Sequence, residues 1–286
     1  MSFHAIAALS IAGAYAALTF LMTLVFHRFP RRPVQDPPDW GAVADLRIPA
    51  KGGATLEVWR IEPEKKPVGT VVFAHGWGRN RDRMVERARI FGSLGFTAVI
   101  HSARDHGDSS PHRFMNAVRF AEDIEAVLAW LREPAVLYGH SAGAAGAVVA
   151  AARNPEKIRL LFLEGCYAHT HRALFSLYRW IHPLFGSVFG PGILFWMNVF
   201  YRGQVRRFDP GRLAPSISAP VMMIHGTRDR RFPPAYAEAL KDCFRPGQVD
   251  FYAAEGAGHS DSSRTPGYLP AVERFLRRHA AALSDE

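Results

Sequence analysis

Residues of the types that make a nucleophile, an orienting acid and a base stand in the order Ser, Asp, His along the chain, each in surroundings suited to that role. Gly139-His140-Ser141-Ala142-Gly143 matches the pattern G-x-S-x-G. It follows an apolar run, Ala135-Val136-Leu137-Tyr138, and leads into a small-residue stretch, Ala144 to Arg153, that reads as a helix. A sharp strand-to-helix turn pushes a serine hydroxyl into the open, and glycines beside it avoid the clashes such a turn creates. The N-terminus of the following helix then lies under any negative charge that develops at the serine.

Asp229 follows the β-rich run Val221-Met222-Met223-Ile224 and its continuation His225-Gly226-Thr227-Arg228. At the C-terminal end of a parallel strand a carboxylate faces the same rim as the serine, where it can fix one imidazole tautomer. Its arginine neighbours offer the alternative of a surface ion pair. His259 sits in Glu255-Gly256-Ala257-Gly258-His259-Ser260, a glycine-rich loop after the last β-rich run, from which a ring can reach Ser141, take its proton and return it. Upstream, Thr70-Val71-Val72-Phe73-Ala74 ends in the turn His75-Gly76-Trp77-Gly78. Acyl transfer through a serine needs two backbone N–H groups aimed at the tetrahedral oxyanion, and these fall to Trp77 and Ala142.

These residues need a scaffold that brings strand ends together. Short β-rich runs at Asp45 to Ile48, Thr55 to Ile61, Gly69 to Ala74, Thr97 to His101, Ala135 to Gly139, Arg159 to Leu163, Pro220 to His225 and Val249 to Ala253 alternate with helical stretches. That alternation predicts an α/β fold, a mostly parallel sheet covered by helices on both faces. Within Arg113 to Leu131, Ala117, Ala121, Ile124, Leu128 and Leu131 recur at spacings of four and three, with Phe120 and Val127 beside them, as one helix face against a sheet requires. The alternation breaks between Leu163 and Pro220. The interval from about Cys166 to Pro215 holds Phe175, Tyr178, Trp180, Phe185, Phe189, Phe195, Trp196, Phe200 and Tyr201, and it reads as a helical cap insertion. Within it, Gly186, Gly190, Pro191 and Gly192 are expected to interrupt any continuous helix. A membrane crossing there would also put Ser141 on one side of the bilayer and Asp229 with His259 on the other.

Residues 1–32 form a unit of their own. Ala5 to Phe26 carries no charge, is apolar on every face and is long enough to cross about 30 Å of hydrocarbon. Arg28, Arg31 and Arg32 follow it rather than precede it, which reads as an uncleaved transmembrane anchor with a cytoplasmic catalytic domain. An atypical signal sequence delivering the domain outside is the alternative. Residues 33–42, in a segment rich in Pro and Arg from Pro30 to Pro38, read as a stiff linker, and residues 43–286 as the catalytic domain.

The composition fits this division. The chain has 286 residues, 48% of them hydrophobic, which suits one α/β domain with an accessory segment. The net charge of +9 would suit acidic lipid headgroups, an anionic substrate or nucleic acid, but the basic residues are scattered along the chain without a nucleic-acid-binding motif, so most read as solvated surface charge; a small-molecule or lipid ester and membrane lipid are the expected partners, and nucleic acid is not. Cys166 and Cys243 lack zinc-site spacing and read as buried small apolar residues.

From about Val43 onward the chain resembles the α/β-hydrolase superfamily, in particular its lipase, monoglyceride-lipase-like and proline-iminopeptidase-like branches. Those branches carry D-x-R-G-H-G-x-S after the fourth strand, and Ser102-Ala103-Arg104-Asp105-His106-Gly107-Asp108-Ser109 follows that pattern except at Ser102 and Asp105. The resemblance implies a serine hydrolase with no cofactor and no metal. The resulting expectation is cleavage of a carboxylic ester or thioester, lipid-derived, through an acyl-serine intermediate. A peptidase, an amidase or an acyltransferase would use the same triad, and a silent membrane-bound binding protein could share the fold.

Overall fold

The computed structural model describes residues 1–26, 28 and 31–283; Pro30, at the start of the segment read as a linker, and the last three residues of the segment read as the catalytic domain lie outside the described residues. Helix α1 (Phe3–Phe26) is followed by strands β1 (Ala42–Pro49), β2 (Thr55–Glu62) and β3 (Thr70–Ala74), helix α2 (Val85–Ser93) and strand β4 (Thr97–His101). Helix α3 (Ala117–Leu131), strand β5 (Ala135–His140), helix α4 (Ala142–Arg153) and strand β6 (Ile158–Glu164) complete the first half. Helices α5 (Thr170–Ile181), α6 (Pro183–Phe200), α7 (Gln204–Arg207) and α8 (Pro210–Leu213) then precede β7 (Val221–Gly226), α9 (Pro234–Lys241), β8 (Val249–Ala254) and α10 (Tyr268–Arg278).

The strands form an 8-stranded sheet in the order β1-β2-β4-β3-β5-β6-β7-β8. The two pairings β1–β2 and β2–β4 are antiparallel, and all pairings from β4 to β8 are parallel. Alternation along each strand sends side chains to two separate cores. Val72, Leu137, Leu161 and Met223 meet α3, α4 and α9 on one face, while Val71, Phe73, Val136 and Phe162 meet α2 and α10 on the other. All eight strands expected from the sequence are present, with ends shifted by a few residues where ladder pairing carries on past the apolar run.

Two helix expectations are corrected. The helix expected from Arg113 begins at Ala117, because Asn116 adopts an extended backbone and its side chain accepts a hydrogen bond from the Arg119 N–H, an N-cap that fixes the start. Helix α6 runs unbroken through Gly186, Gly190, Pro191 and Gly192. Each glycine of α6 is a point of close approach: a Cβ would lie 2.4 Å from the backbone N of Arg179 at Gly186, 3.2 Å from the Phe175 ring at Gly190, and 2.6 Å from the Thr19 side chain at Gly192. Packing against α5 and α1 through these gaps outweighs a helix propensity penalty of about 1 kcal/mol for each glycine and about 3 kcal/mol for Pro191.

The segment before the sheet is laid on the domain rather than held away from it. Asn80 donates to the carbonyls of Arg32 and Pro33, Gln35 N–H donates to Asp82, and Val34 and Trp40 pack against the core shared by α2 and α10. Cys166 is buried as expected, whereas Cys243, just past the end of α9, is only partly covered: it packs against the edge of the core beside Gly211.

Candidate active site

Ser141 stands between β5 and α4 with φ 56° and ψ −118°, a strained conformation that costs about 1–3 kcal/mol and turns the hydroxyl out of the sheet. The surrounding structure enforces it. The Ser141 N–H donates to the Glu164 carbonyl at 2.8 Å, and its own carbonyl accepts from the Ala144 and Ala145 N–H groups. Gly139 and Gly143 are required by contact rather than by φ: a Cβ on Gly139 would meet Ala144 Cα at 2.5 Å, and one on Gly143 would meet the Ala74 carbonyl oxygen at 2.4 Å. Small residues continue into α4 because Gly146 lies against Phe120 of α3.

His259 Nε2 lies 2.9 Å from Ser141 Oγ, and its Nδ1 lies 2.7 Å from Asp229 Oδ2. Asp229 is buried and turned inward. Its Oδ1 accepts from the N–H groups of Arg231 and Phe232, so the carboxylate engages the backbone of its arginine-rich neighbourhood rather than the guanidinium groups. Burial pushes this carboxyl up, but the hydrogen bond and charge of His259 with the Phe232 N–H outweigh it and hold the group below its ordinary range. The imidazole packs edge-on against Phe232, with ring centroids 5.0 Å apart. Gly165 (φ +61°) gives it room, since a Cβ there would approach its Cε1 to 3.0 Å.

The turn that carries Trp77 is held by two histidines with defined tautomers. The Ala103 N–H donates to His75 Nε2 at 3.0 Å, leaving Nδ1–H to donate to the Gly76 carbonyl. The Gly78 N–H donates to His106 Nε2 at 3.0 Å, while His106 Nδ1–H donates to the Arg104 carbonyl. Burial lowers both imidazoles, His75 strongly with His106 adding to the effect, so both stay neutral and each keeps one accepting nitrogen. His106 belongs to the segment Ser102 to Ser109. In that segment Asp105 takes a left-handed backbone (φ 63°) at the motif's glycine position, and Gly107 (φ 50°) lies where a Cβ would meet Glu57.

Several contributors to the site were not anticipated from sequence. Arg87 and Glu164 form a fully buried ion pair beneath β6, joined by the Tyr138 hydroxyl at 2.7 Å. Burial alone would raise the Glu164 carboxyl, yet Arg87 draws it down to about 2. His140 Nε2 donates to the carbonyl of His259 itself at 3.0 Å. A glutamate closing the run Leu160-Leu161-Phe162-Leu163 is a visible signal in the sequence; Arg87 and Gly165 have none.

Ser141 and His259 open into a cavity of about 470 Å³, lined by Trp77 and Ala142 beside the serine and by Leu174, Leu177, Tyr178, Ile181, Met197 and Tyr201 of the cap region. The cap aromatics divide. Tyr178 and Tyr201 face this cavity, whereas Phe195 is exposed and the Trp196 indole N–H donates to the Ala16 carbonyl of α1. The wall also includes Phe26, at the end of α1, and Arg32. Arg79 and Arg231 complete the charged lining, and no Asp or Glu is among the described residues that line it.

Residues 65–194 match the profile of the serine aminopeptidase S33 family. Among curated proteins, the chain is similar to the monoacylglycerol lipase of Mycolicibacterium smegmatis, 25% identical over 230 residues that cover 67% of this chain and 81% of the lipase. Among solved structures, an esterase of Pyrococcus furiosus superposes with a TM-score of 0.65 at 17% identity, covering 87% of this chain and 99% of the esterase. A membrane phospholipase A described as a bacterial virulence factor superposes with a TM-score of 0.64 at 17% identity and covers 97% of both chains.

Proposed function

We propose that this chain is an α/β-hydrolase of the esterase and lipase type that cleaves a lipid-derived carboxylic ester or thioester through an acyl-serine at Ser141. The observation that carries this reading is the continuous Ser141–His259–Asp229 hydrogen-bond chain at the base of a largely apolar cavity. His259 takes the hydroxyl proton as Ser141 Oγ attacks the acyl carbon, and Asp229 holds the ring and stabilises the imidazolium. The N–H groups of Trp77 and Ala142 receive the oxyanion, each accounting for about 3–4 kcal/mol of transition-state stabilisation. The imidazolium then protonates the leaving group, and water activated by the same ring releases the acid.

The lining of the cavity favours esters over aminopeptidase substrates. A free ammonium terminus needs an anionic partner, whereas the described charged residues of the wall are Arg32, Arg79 and Arg231. Such a wall suits an acyl ester with an anionic group or a fatty-acid product. Helix α1 serves as the anchor, and Arg28, Arg31 and Arg32 put the domain on the cytoplasmic side. For that orientation, Ser2→Cys should react with an impermeant thiol reagent on intact cells while the C-terminus resists external protease; the reverse pattern would overturn it. The activity is tested with a chain-length series of p-nitrophenyl esters and acyl-thioesters beside Ser141→Ala. Turnover should rise with acyl length and vanish in the variant, and turnover confined to aminoacyl amides would overturn the ester reading.

A further inference from the structure

Only half of α1 stands clear of the domain. From Tyr15 onward it is stitched to α6: the Tyr15 hydroxyl donates to the Val188 carbonyl at 2.7 Å, the Trp196 indole to Ala16, and Phe20 meets the rings of Trp196 and Phe200. Thr19 and Thr23 are fully buried, and Thr19 fills the gap left by Gly192. Among the described residues, none from Phe3 to Ala14 hydrogen-bonds to the domain or stacks on it.

The free half, at 1.5 Å per residue, projects about 18 Å, whereas the hydrocarbon core is about 30 Å thick. A bilayer crossed by α1 must therefore extend about 12 Å further along the helix, past the contact of Thr19 with Gly192. We infer that α6 is a second membrane-embedded helix, sunk into one leaflet beside α1 without crossing it. The inference rests on the reading of α1 as the anchor.

The surfaces of α6 fit that position. Leu184, Val188, Phe195 and Val199 recur at spacings of four, seven and four residues along its outer face and are exposed, and Pro191 lies on the same face. No charged side chain occurs between Pro183 and Phe200. At the contact with α1, the polar groups are satisfied internally: Thr19 bonds to the Tyr15 carbonyl, Thr23 to the Thr19 carbonyl, and Tyr15 and Trp196 as above. Small residues at the crossing and internally satisfied hydroxyls are what helix pairing in hydrocarbon requires. On the inner side, Phe26 of α1 contacts the rings of Tyr178 and Phe185, and Phe26 and Tyr178 both line the catalytic cavity. The wall of the acyl cavity is thus built onto membrane-embedded elements, and an acyl chain passes into it from the leaflet.

The test uses the full chain with Cys243→Ser, in phosphatidylcholine–phosphatidylglycerol vesicles carrying nitroxide-labelled lipids. Leu9→Cys, Val188→Cys, Phe195→Cys and Val43→Cys are each labelled with a thiol-reactive fluorophore, and retained hydrolysis of a short-chain ester shows that each is folded. Labels at 188 and 195 should be quenched by lipid nitroxide at least half as strongly as the label at 9, with 43 unaffected. Quenching at 9 with 188 and 195 open to a water-soluble quencher would overturn the inference and leave the anchor standing. Protection of 188 and 195 from both quenchers would overturn it in favour of a second copy of the chain covering α6. No lipid quenching at 9 would overturn the anchor and the inference together.

Discussion

Arg87 Nη2 donates to the carbonyl oxygen of Ser260, 3.0 Å away, and so ties a buried ion pair to the loop that carries His259. The partner carboxylate, Glu164, has its own backbone carbonyl on the Ser141 N–H. One pair therefore steadies both the turn of the nucleophile and the loop of the base. Removing one side of a buried pair typically costs about 3–5 kcal/mol. Arg87→Ala and Glu164→Ala should each lose about that much in urea denaturation. Arg87→Lys, whose single nitrogen cannot occupy both the Nε and Nη2 positions, should keep more stability but lower kcat with KM little changed. Full kcat in Arg87→Lys would show that the pair serves stability alone.

The Trp77 turn depends on His106 as an acceptor. His106→Leu leaves the Gly78 N–H without its partner and lets the proposed oxyanion donor, the Trp77 N–H, drift, and a displacement of about 1 Å can cost as much as 100-fold in rate. Steady-state kinetics should show the loss in kcat, with partial recovery in His106→Gln, whose amide oxygen can accept. Equal kcat in both variants and the parent would remove His106 from the account.

Buried neutral histidines set the acid limit. Burial holds His101 at about 4 and His140 at about 3, against an ordinary value of 6.5, and lowers His75 and His106 as well. Above the ordinary value both folded and unfolded chains keep these rings neutral. Below it the unfolded chain binds protons that the folded one refuses, so each ring removes about 1.4 kcal/mol per pH unit until its folded value is reached. Asp123, raised by burial to about 6, works the other way between its ordinary 3.8 and that value, because there the folded chain holds the proton. Glu164 contributes stability above its ordinary 4.5 that is lost only as pH falls toward about 2. Four imidazoles outweigh one carboxyl, so calorimetry should find Tm falling steadily from about pH 7 to about pH 5. A flat Tm over that interval would contradict the burial of neutral rings.

Acyl-length selection should reside in α5 rather than in the outer aromatics of the cap. Leu177 lines the cavity, whereas Phe195 faces outward. Leu177→Trp fills space an acyl chain would use, and a misfit of one or two methylenes is worth about 1–3 kcal/mol. The kcat/KM ratio of decanoyl to acetyl p-nitrophenyl ester should fall about tenfold or more in this variant. An unchanged ratio would place the acyl chain elsewhere.

The sheet was legible because alternation and apolar runs are properties of sequence itself, and Ser141, Asp229 and His259, which the structure brings into one hydrogen-bond chain, follow strands that the pattern already located. Ser141 was further marked by Gly139 and Gly143, whose need for close contact leaves no other residue acceptable. What stayed hidden depends on contacts between distant segments. Arg87 lies on a helix whose neighbours Glu86 and Arg89 suggest an exposed face, yet it is buried against a strand 77 residues away. Pro191 and the glycines of α6 signal a broken helix until Thr19 and Arg179 occupy the gaps. An apolar run such as Ala5 to Phe26 is legible as one long helix, but nothing in it discloses that Phe26 lines the cavity of Ser141 and His259.

In the proposed mechanism Ser141 forms the acyl-enzyme. Treatment of the full chain with a fluorophosphonate, followed by peptide mass spectrometry, should find one adduct, on Ser141, with ester hydrolysis lost in proportion to labelling. Ser141→Ala should take up no probe while keeping the parent's Tm within a few degrees. An adduct that persists in Ser141→Ala, or full hydrolysis after Ser141 is labelled, would contradict the account.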